Sequence, residues 1–207
     1  MLKSLKNLLA DNKQKRNQQG FTIVEVMIVL AIAGLILAVV FIAVPALQRN
    51  QRNGARANDR AFIQTQYDQA SANFGGRVPD TIQLNAKELN YVGTGGGDAV
   101  NLVIYNRSHA NVNNNDQIRA DVVVGDNEII YAPNIKMNGK KFTFADGNKE
   151  GSNQLIILAG KKCDSETTDT PKEVKPADLT ASSIKKSLAI FYMQEGGEVV
   201  FCADDIN

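Results

Sequence analysis

The chain has few of the side chains that usually carry out chemistry at a protein site. Its 207 residues include one histidine, His109, and two cysteines, Cys163 and Cys202. This set leaves little material for a His/Cys metal site or for a nucleophile activated by histidine. His109 follows a predicted strand within a polar loop, so we interpret it as a surface residue. We predict no catalytic residue and no enzyme activity, although an enzyme built on carboxylates alone stays open.

Two loops contain residue types that bind phosphate or calcium in other proteins. The glycine-rich segment 93–98 lacks the lysine and the strand-to-helix setting of a phosphate-binding loop, so we predict a flexible loop. The Asp-Gly-Asn segment 146–148 is most simply a polar turn, although together with Asp204 and Asp205 it offers oxygen ligands for calcium. No EF-hand spacing is present, and we predict no metal site and no cofactor.

Charged and apolar residues are segregated along the chain. The formal net charge is only +1, which argues against a dedicated nucleic-acid-binding protein. Residues 26–47 are 22 positions without a charged side chain. As a helix they would span about 33 Å, against about 30 Å of hydrocarbon in a bilayer. The alternative, a buried helix of a soluble core, is usually shorter and carries a polar stripe, so we predict a membrane-spanning helix over residues 21–48.

A basic segment precedes the apolar run. Residues 1–20 have five Lys or Arg side chains and one acidic residue, Asp11. A basic segment before an apolar stretch is typical of a targeting signal. However, no small-residue cleavage site follows the apolar run, and the polar leader ends instead at Gly20, immediately before Phe21.

The residues around this point resemble those of one protein family. Residues 20–30, Gly-Phe-Thr-Ile-Val-Glu-Val-Met-Ile-Val-Leu, are similar to the processing site and helix start of type IV pilins and pseudopilins. The resemblance extends from Lys13 to about Gln51. It implies that a prepilin peptidase removes residues 1–20 by cleavage between Gly20 and Phe21 on the cytoplasmic side, and that Phe21 is then N-methylated. The leader is longer than is usual in the phenylalanine-starting class.

Glu25 is the one charge near the start of the apolar run. Read by itself, its side chain can extend to the lipid headgroups. The resemblance implies a second role, in which Glu25 pairs with the amino terminus of a neighbouring or the same subunit during assembly. An unpaired carboxylate within a bundle of helices would be costly, whereas a partner cation would make subunit addition selective.

Gly34 and Pro45 are two weak points in the predicted helix. Glycine costs about 1 kcal/mol relative to alanine in a helix interior, and proline costs about 3 kcal/mol. Gly34 is compatible with close packing of helices or with local melting. The resemblance implies that the helix loosens in this region of a fibre, although Pro45 lies about one turn later than the family's usual proline.

The helical pattern continues beyond the apolar run, over residues 49–74. Arginines at positions 49, 52, 56 and 60 fall on one row that continues as Ile63, Tyr67, Ala70 and Phe74. This row predicts that the first turns lie outside the head and that the later turns pack on it. Gly75 and Gly76 predict the helix end. The arginines are compatible with lipid phosphates before assembly, with acidic neighbours afterwards, or with a solvated basic face.

The remaining residues, 75–207, are predicted to form an exported head with more strand than helix. Strands are predicted at 100–105, 118–124, 128–131, 154–158, 187–194 and 198–202. The last two strands flank a three-residue hairpin signal, Glu195-Gly196-Gly197. A short helix is predicted at 177–186, and an exposed loop at 163–176. The resemblance implies the fold class: an α+β protein with an antiparallel sheet packed on a long N-terminal helix.

Cys163 and Cys202 are either two buried free thiols or a disulfide. The family commonly closes its C-terminal region with such a bond, so the resemblance implies a disulfide here. In the loop-entropy model a bond across 39 positions stabilises the fold by about 4 kcal/mol. Such a bond persists outside the cytoplasm.

Three hypotheses for the function follow. The first is a structural subunit of a type IV pilus, which would sit in the inner membrane and then polymerise into an extracellular filament for adhesion, twitching motility or DNA uptake. Its partners would be prepilin peptidase, other pilin subunits, the assembly machinery and membrane lipid; binding of nucleic acid is unsupported. The second is a pseudopilin of a type II secretion or competence system. The third is a single-pass membrane enzyme or sensor.

Overall fold

The computed structural model describes seven stretches of the chain: 20–84, 101–105, 111–145, 154–164, 167–182, 186–195 and 199–204. The predictions for the leader, the glycine-rich loop 93–98, His109, segment 146–148 and Asp205 lie outside the described residues. The chain divides into two compact units, Met1–Ala46 and Leu47–Asn207. Helix α1 (Ile23–Asn73) contributes to both units.

Both ends of α1 carry local signals that account for them. Thr22 precedes the first turn and accepts a hydrogen bond from the Glu25 N–H through its Oγ1 atom at 3.2 Å. At the other end, Gly75 and Gly76 have φ values of 70° and 74°. The Gly76 N–H donates to the Ser71 carbonyl at 2.8 Å, and the Gly75 N–H donates to the Ala72 carbonyl at 3.1 Å. This is the Schellman pattern, which favours glycine, so the predicted helix end is confirmed.

The Leu47–Asn207 unit contains a six-stranded mixed sheet. The strands, in their spatial order, are β1 (Asn101–Ile104), β3 (Glu128–Pro133), β5 (Leu155–Ala159), β10 (Leu188–Met193), β11 (Val199–Asp204) and β7 (Thr167–Pro171). The first three strands run parallel to one another, and the last four are paired antiparallel.

Two smaller sheets complete the described part of this unit. One contains β2 (Val122–Val124), β4 (Phe142–Phe144) and β8 (Glu173–Val174), and the other pairs β6 (Lys161–Cys163) with β9 (Leu179–Ala181). β4 belongs to the first small sheet, so the chain leaves the large sheet after β3 and returns to it as β5. Two parallel strands need a crossover connection, and this excursion through β4 provides it for β3 and β5.

The central strands are buried on both faces. One apolar cluster contains Ile63 and Tyr67 of α1 together with alternate residues of the sheet: Ile129, Tyr131, Leu155, Ile157, Leu188, Ile190 and Tyr192. The intervening residues, among them Ile130, Ile156 and Phe191, belong to a second cluster with Phe142 and Phe144. Helix and small sheet therefore cover opposite faces, which is why these strands read as continuous apolar runs.

The α+β fold class is confirmed, with several corrections to its detail. The large sheet is mixed rather than antiparallel. The predicted helix at 177–186 is wrong, because a 3-10 turn at Pro176–Asp178 is followed by β9, whose residues pair with β6. The predicted loop at 163–176 contains β7 and β8. Of the predicted strand 118–124, only β2 forms a strand.

Candidate processing and assembly site

The predicted cleavage site lies just outside the helix. Gly20, Phe21 and Thr22 are non-helical and exposed, and the Phe21 side chain is 89% exposed. An added Cβ atom at Gly20 would meet nothing within 4 Å. The Gly20–Phe21 peptide bond therefore lies in exposed chain and is not held in a helical turn.

Thr22 and Glu25 form a capping box that begins α1. The Thr22 N–H and the Thr22 Oγ1 hydroxyl each donate to Glu25 Oε2 at 2.8 Å, while Thr22 Oγ1 accepts from the Glu25 N–H. The reciprocal bonds satisfy donors that a helix leaves unpaired at its start. Sequence reasoning missed this role of Glu25, although the Thr-x-x-Glu spacing before an apolar run signals it.

Beyond the capping box, α1 presents apolar side chains on every side. Residues 23–46 are all exposed within the described chain, including Ile28, Leu35 and Phe41. Among the described residues, α1 is the one helix long and apolar enough to cross a membrane. Exposed apolar area on this scale marks a surface that another medium or partner covers.

The helix runs through both predicted weak points. Pro45 lies inside α1, and Gly34 lies in its first half with nothing within 4 Å of an added Cβ atom. Among the described residues of the chain, no side chain lies within 4 Å of that atom. The space beside it is therefore open to a neighbouring helix.

The second half of α1 packs on the sheet. Ile63 and Tyr67 are fully buried, and the Tyr67 hydroxyl donates to the Ser187 carbonyl at 3.4 Å. This confirms the prediction for the later turns, except that Phe74, which lies just beyond the last helical residue, is 49% exposed. Asp59, which the predicted row omitted, is fully buried, whereas Arg60, which the row included, is only half-buried.

Arg52 is held by the turn that follows β10. Its Nε atom donates to Glu195 Oε2 and its Nη2 atom donates to Glu195 Oε1, both at 2.6 Å. Asn53 binds the backbone of the same residue, accepting from the Glu195 N–H at 2.9 Å and donating to the Glu195 carbonyl at 3.4 Å. Arg56, which is buried, donates to Asn53 Oδ1 at 2.6 Å. The basic row is thus held by the head from Arg52 onward, whereas its first member, Arg49, is exposed.

This arrangement perturbs Glu195. The hydrogen bond from Arg52 is the main cause that lowers the pKa of Glu195, and the charges of Arg52, Arg56 and Arg49 act in the same direction against the opposing effect of burial. Glu195 therefore stays ionised in the folded protein. Sequence reasoning noted this residue only as part of a hairpin, since nothing in the local pattern pairs it with a helix 142 or 143 positions earlier.

Cys163 and Cys202 form a disulfide in the structure. Cys163 ends β6 and Cys202 lies in β11, so the bond joins a small sheet to the large one. The Cys163 N–H also donates to Asp204 Oδ2 at 3.0 Å. One oxygen of Asp204, a residue considered as a calcium ligand, is thus occupied by a backbone bond. The described residues contain no group of three or more His, Cys, Asp or Glu side chains that would hold a metal ion.

Comparisons with known proteins assign one segment. Residues 15–41 match the family model of the prokaryotic N-terminal methylation motif, which includes Gly20, Phe21, Glu25 and Gly34. No curated protein and no solved structure shows a significant match to the chain. The matched part thus covers the end of the predicted leader, the predicted cleavage site and most of the apolar half of α1.

Proposed function

Proceeding from the methylation motif as a prepilin-type signature, we propose that this type IV pilin-like protein is a structural subunit of a type IV pilus. The motif implies processing by prepilin peptidase and assembly with other pilins, and it suggests a structural subunit rather than an enzyme. Motif and apolar helix together fit anchoring in the inner membrane before assembly.

The observation that carries the proposal is the exposed apolar half of α1. Burial of apolar surface contributes about 25 cal/mol per Å², so a helix whose side chains are exposed on all sides is not stable alone in water. Lipid covers this surface after insertion. Identical helices of other subunits cover it in a filament.

The position of the cleavage site supports processing before assembly. The capping box starts the helix at Ile23 and leaves the Gly20–Phe21 bond in non-helical chain. Cleavage creates a new amino terminus on Phe21. Phe21 directly precedes Thr22, whose N–H already donates to the Glu25 carboxylate. We propose that Glu25 first caps its own helix and then pairs with the amine of a neighbouring subunit.

The test is to shear filaments from the cell surface, purify them and sequence the main component. A mature chain that begins with N-methylated Phe21 supports the pilus subunit. A processed product that stays cell-bound without filaments would contradict it and favour the pseudopilin alternative, which shares the same motif. An unprocessed, monomeric chain would contradict both.

Glu25→Gln keeps a side chain that can cap the helix but removes its charge, whereas Glu25→Ala removes both, so the pair separates capping from assembly. Both variants should insert into the membrane, because each is less polar than wild type. We expect both to lose filaments, because neither provides a charge for the neighbouring amine. Normal filament number in either variant would contradict the role of Glu25.

A further inference from the structure

The start of the basic row contains a tandem repeat of three residues. Gln48-Arg49-Asn50 is followed at once by Gln51-Arg52-Asn53. The second copy holds Glu195 of the same chain, whereas Arg49 and Asn50 of the first copy are both exposed. The same two side chains are therefore presented twice, once with a ligand from the head and once toward solvent.

The occupied copy shows what the Arg-Asn pair recognises. Arg52 donates two hydrogen bonds to one carboxylate, and Asn53 accepts from the N–H and donates to the carbonyl of the same residue. The pair thus binds an acidic residue together with its own backbone, in a turn that follows a strand. Bidentate arginine–carboxylate contacts are among the stronger polar interactions in proteins. We call this pair of side chains a carboxylate seat.

The first copy faces a different direction from the second. A displacement of three residues on an α-helix is about 4.5 Å along the axis and about 60° around it. The head of the same chain cannot shift to the first seat, because a three-residue slip would put Arg60 and Gln64 where Ile63 and Tyr67 lie. Ile63 and Tyr67 are fully buried, so that shift would replace apolar core by charge.

We propose that Arg49 and Asn50 form a second carboxylate seat, which an acidic turn residue of a second copy of this chain fills during assembly. This inference rests on the proposed function, since it names a contact between subunits of the filament. The head has suitable ligands: residues 75–207 have 18 acidic and 14 basic side chains, and an exposed acid, Asp164, directly follows strand β6.

The chemistry of the seat favours a peptide over a lipid phosphate. In the occupied copy, Asn53 Oδ1 accepts a hydrogen bond from the Glu195 N–H. A phosphodiester offers oxygen atoms only and has no donor for this amide oxygen. Lysine also binds a phosphate well as a point charge, but it cannot reproduce the bidentate contact of arginine. These two differences separate the sources of the negative charge experimentally.

The experiment compares full-length variants with wild type in cells that express and process the full chain. Arg49→Gln, Arg49→Lys and Asn50→Ala change the first seat, and Arg77→Gln is the matched control, because Arg77 is exposed and its loss changes the net charge equally. The readouts are membrane insertion, processing, thermal unfolding of the detergent-solubilised chain, and filament yield. We expect all three seat variants to match wild type in the first three readouts and to lose filament yield about tenfold, the factor for one charge-assisted hydrogen bond. Arg77→Gln should keep wild-type yield.

A photo-crosslinker at exposed Gln51 provides a second measurement in the same cells. We expect a covalent dimer whose crosslinked peptide contains an acidic turn residue of the second copy, and we expect the dimer to disappear when Arg49→Gln is added. If Arg49→Lys and Asn50→Ala both keep normal yield while Arg49→Gln loses it, the charge serves a lipid phosphate and the inference is overturned. If all variants assemble normally, the inference fails and the proposed function stands. If wild type forms no filament, both fail.

Discussion

The two halves of α1 reverse the usual distribution of side chains. In the first half the exposed residues are apolar, such as Phe41 at 76% exposure. In the second half two charged residues are buried, Arg56 at 5% and Asp59 at 0%. In the part of the chain that the structure describes, the side chains of the first half are exposed, whereas those of the second half pack on a folded head. One continuous helix can therefore be stable in two surroundings, provided that the apolar half and the charged half are each buried by a different partner.

The largest change in stability is expected in the second half. Tyr67→Ala removes a fully buried ring between helix and sheet, which should lower the free energy of unfolding of the head by about 4 kcal/mol. Urea unfolding of the detergent-solubilised chain, followed by near-UV circular dichroism, measures this change. Phe41→Ala is the matched control in the first half, because the Phe41 side chain is 76% exposed and has little packing to lose. Equal destabilisation by both variants would contradict the division of the helix.

A charge in the first half should act on membrane insertion instead. Leu35→Asp places a carboxylate near the middle of the predicted span, which costs about 3 kcal/mol on insertion scales. We expect a smaller fraction of the chain in alkali-washed membranes. Gln51→Asp adds the same charge at an exposed position beyond the span and should leave that fraction unchanged. Normal insertion of Leu35→Asp would argue that this half lies outside lipid.

Loss of the ion pair at the start of the second half should have a smaller, pH-dependent effect. Glu195→Gln keeps the shape of the side chain but loses its charge, and we expect a loss of about 1.5 kcal/mol at pH 7. The folded-state pKa of Glu195 lies below its ordinary value, so its stabilisation is complete above the unfolded pKa and disappears as the pH falls through the folded pKa. Wild type and variant should therefore converge in acid.

Urea unfolding at a series of pH values tests this convergence. Glu173→Gln is a useful comparison, because Glu173 pairs with the partly exposed ammonium groups of Lys141 and Lys175 rather than with a bidentate arginine. It should change stability less than Glu195→Gln. A difference between wild type and Glu195→Gln that persists unchanged at pH 2 would show that the carboxylate charge is not responsible.

Gly34→Ala should have the smallest effect on stability, and it tests what Gly34 does in the first half of the helix. An added Cβ atom meets nothing within 4 Å in one chain, so alanine should stabilise this helical segment by about 1 kcal/mol. Filament yield and force–extension measurements then separate two roles. Filaments that form normally but extend less indicate that the wild-type helix melts locally at Gly34. Reduced yield instead indicates that helices pack closely at Gly34. Unchanged yield and extensibility would contradict both.

Much of the fold followed from local patterns. The long helix was predictable because an uncharged run of 22 residues allows few alternatives, and its end was predictable because two successive glycines favour the left-handed conformation. Five of the six predicted strands are present with small changes in their ends. The five missed strands have two to five residues, too few for an alternating pattern to stand out, and each pairs with a partner distant in sequence.

The error at 177–186 has a similar cause. Its composition is compatible with a helix, and the Lys175 N–H donates to Asp178 Oδ2 at the start of the 3-10 turn, but the turn ends after three residues because Leu179 is already extended. Pairing of Leu179–Ala181 with β6 then outweighs the weak helical preference. Propensity is a prior that tertiary pairing overrides.

By itself, the amino-acid sequence determined the processing motif, the apolar run and the two helix ends, because each depends on residues within a few turns of one another. Only the tertiary structure decided that Arg52 and Asn53 bind Glu195, that Asp59 is buried, and that the large sheet is mixed. These features join segments far apart in the chain, and their free energy exists only once the sheet has brought the segments together. The proposal for Arg49 and Asn50 depends on both the sequence and the structure. The sequence shows the repeat, and the structure shows which ligand the second copy binds.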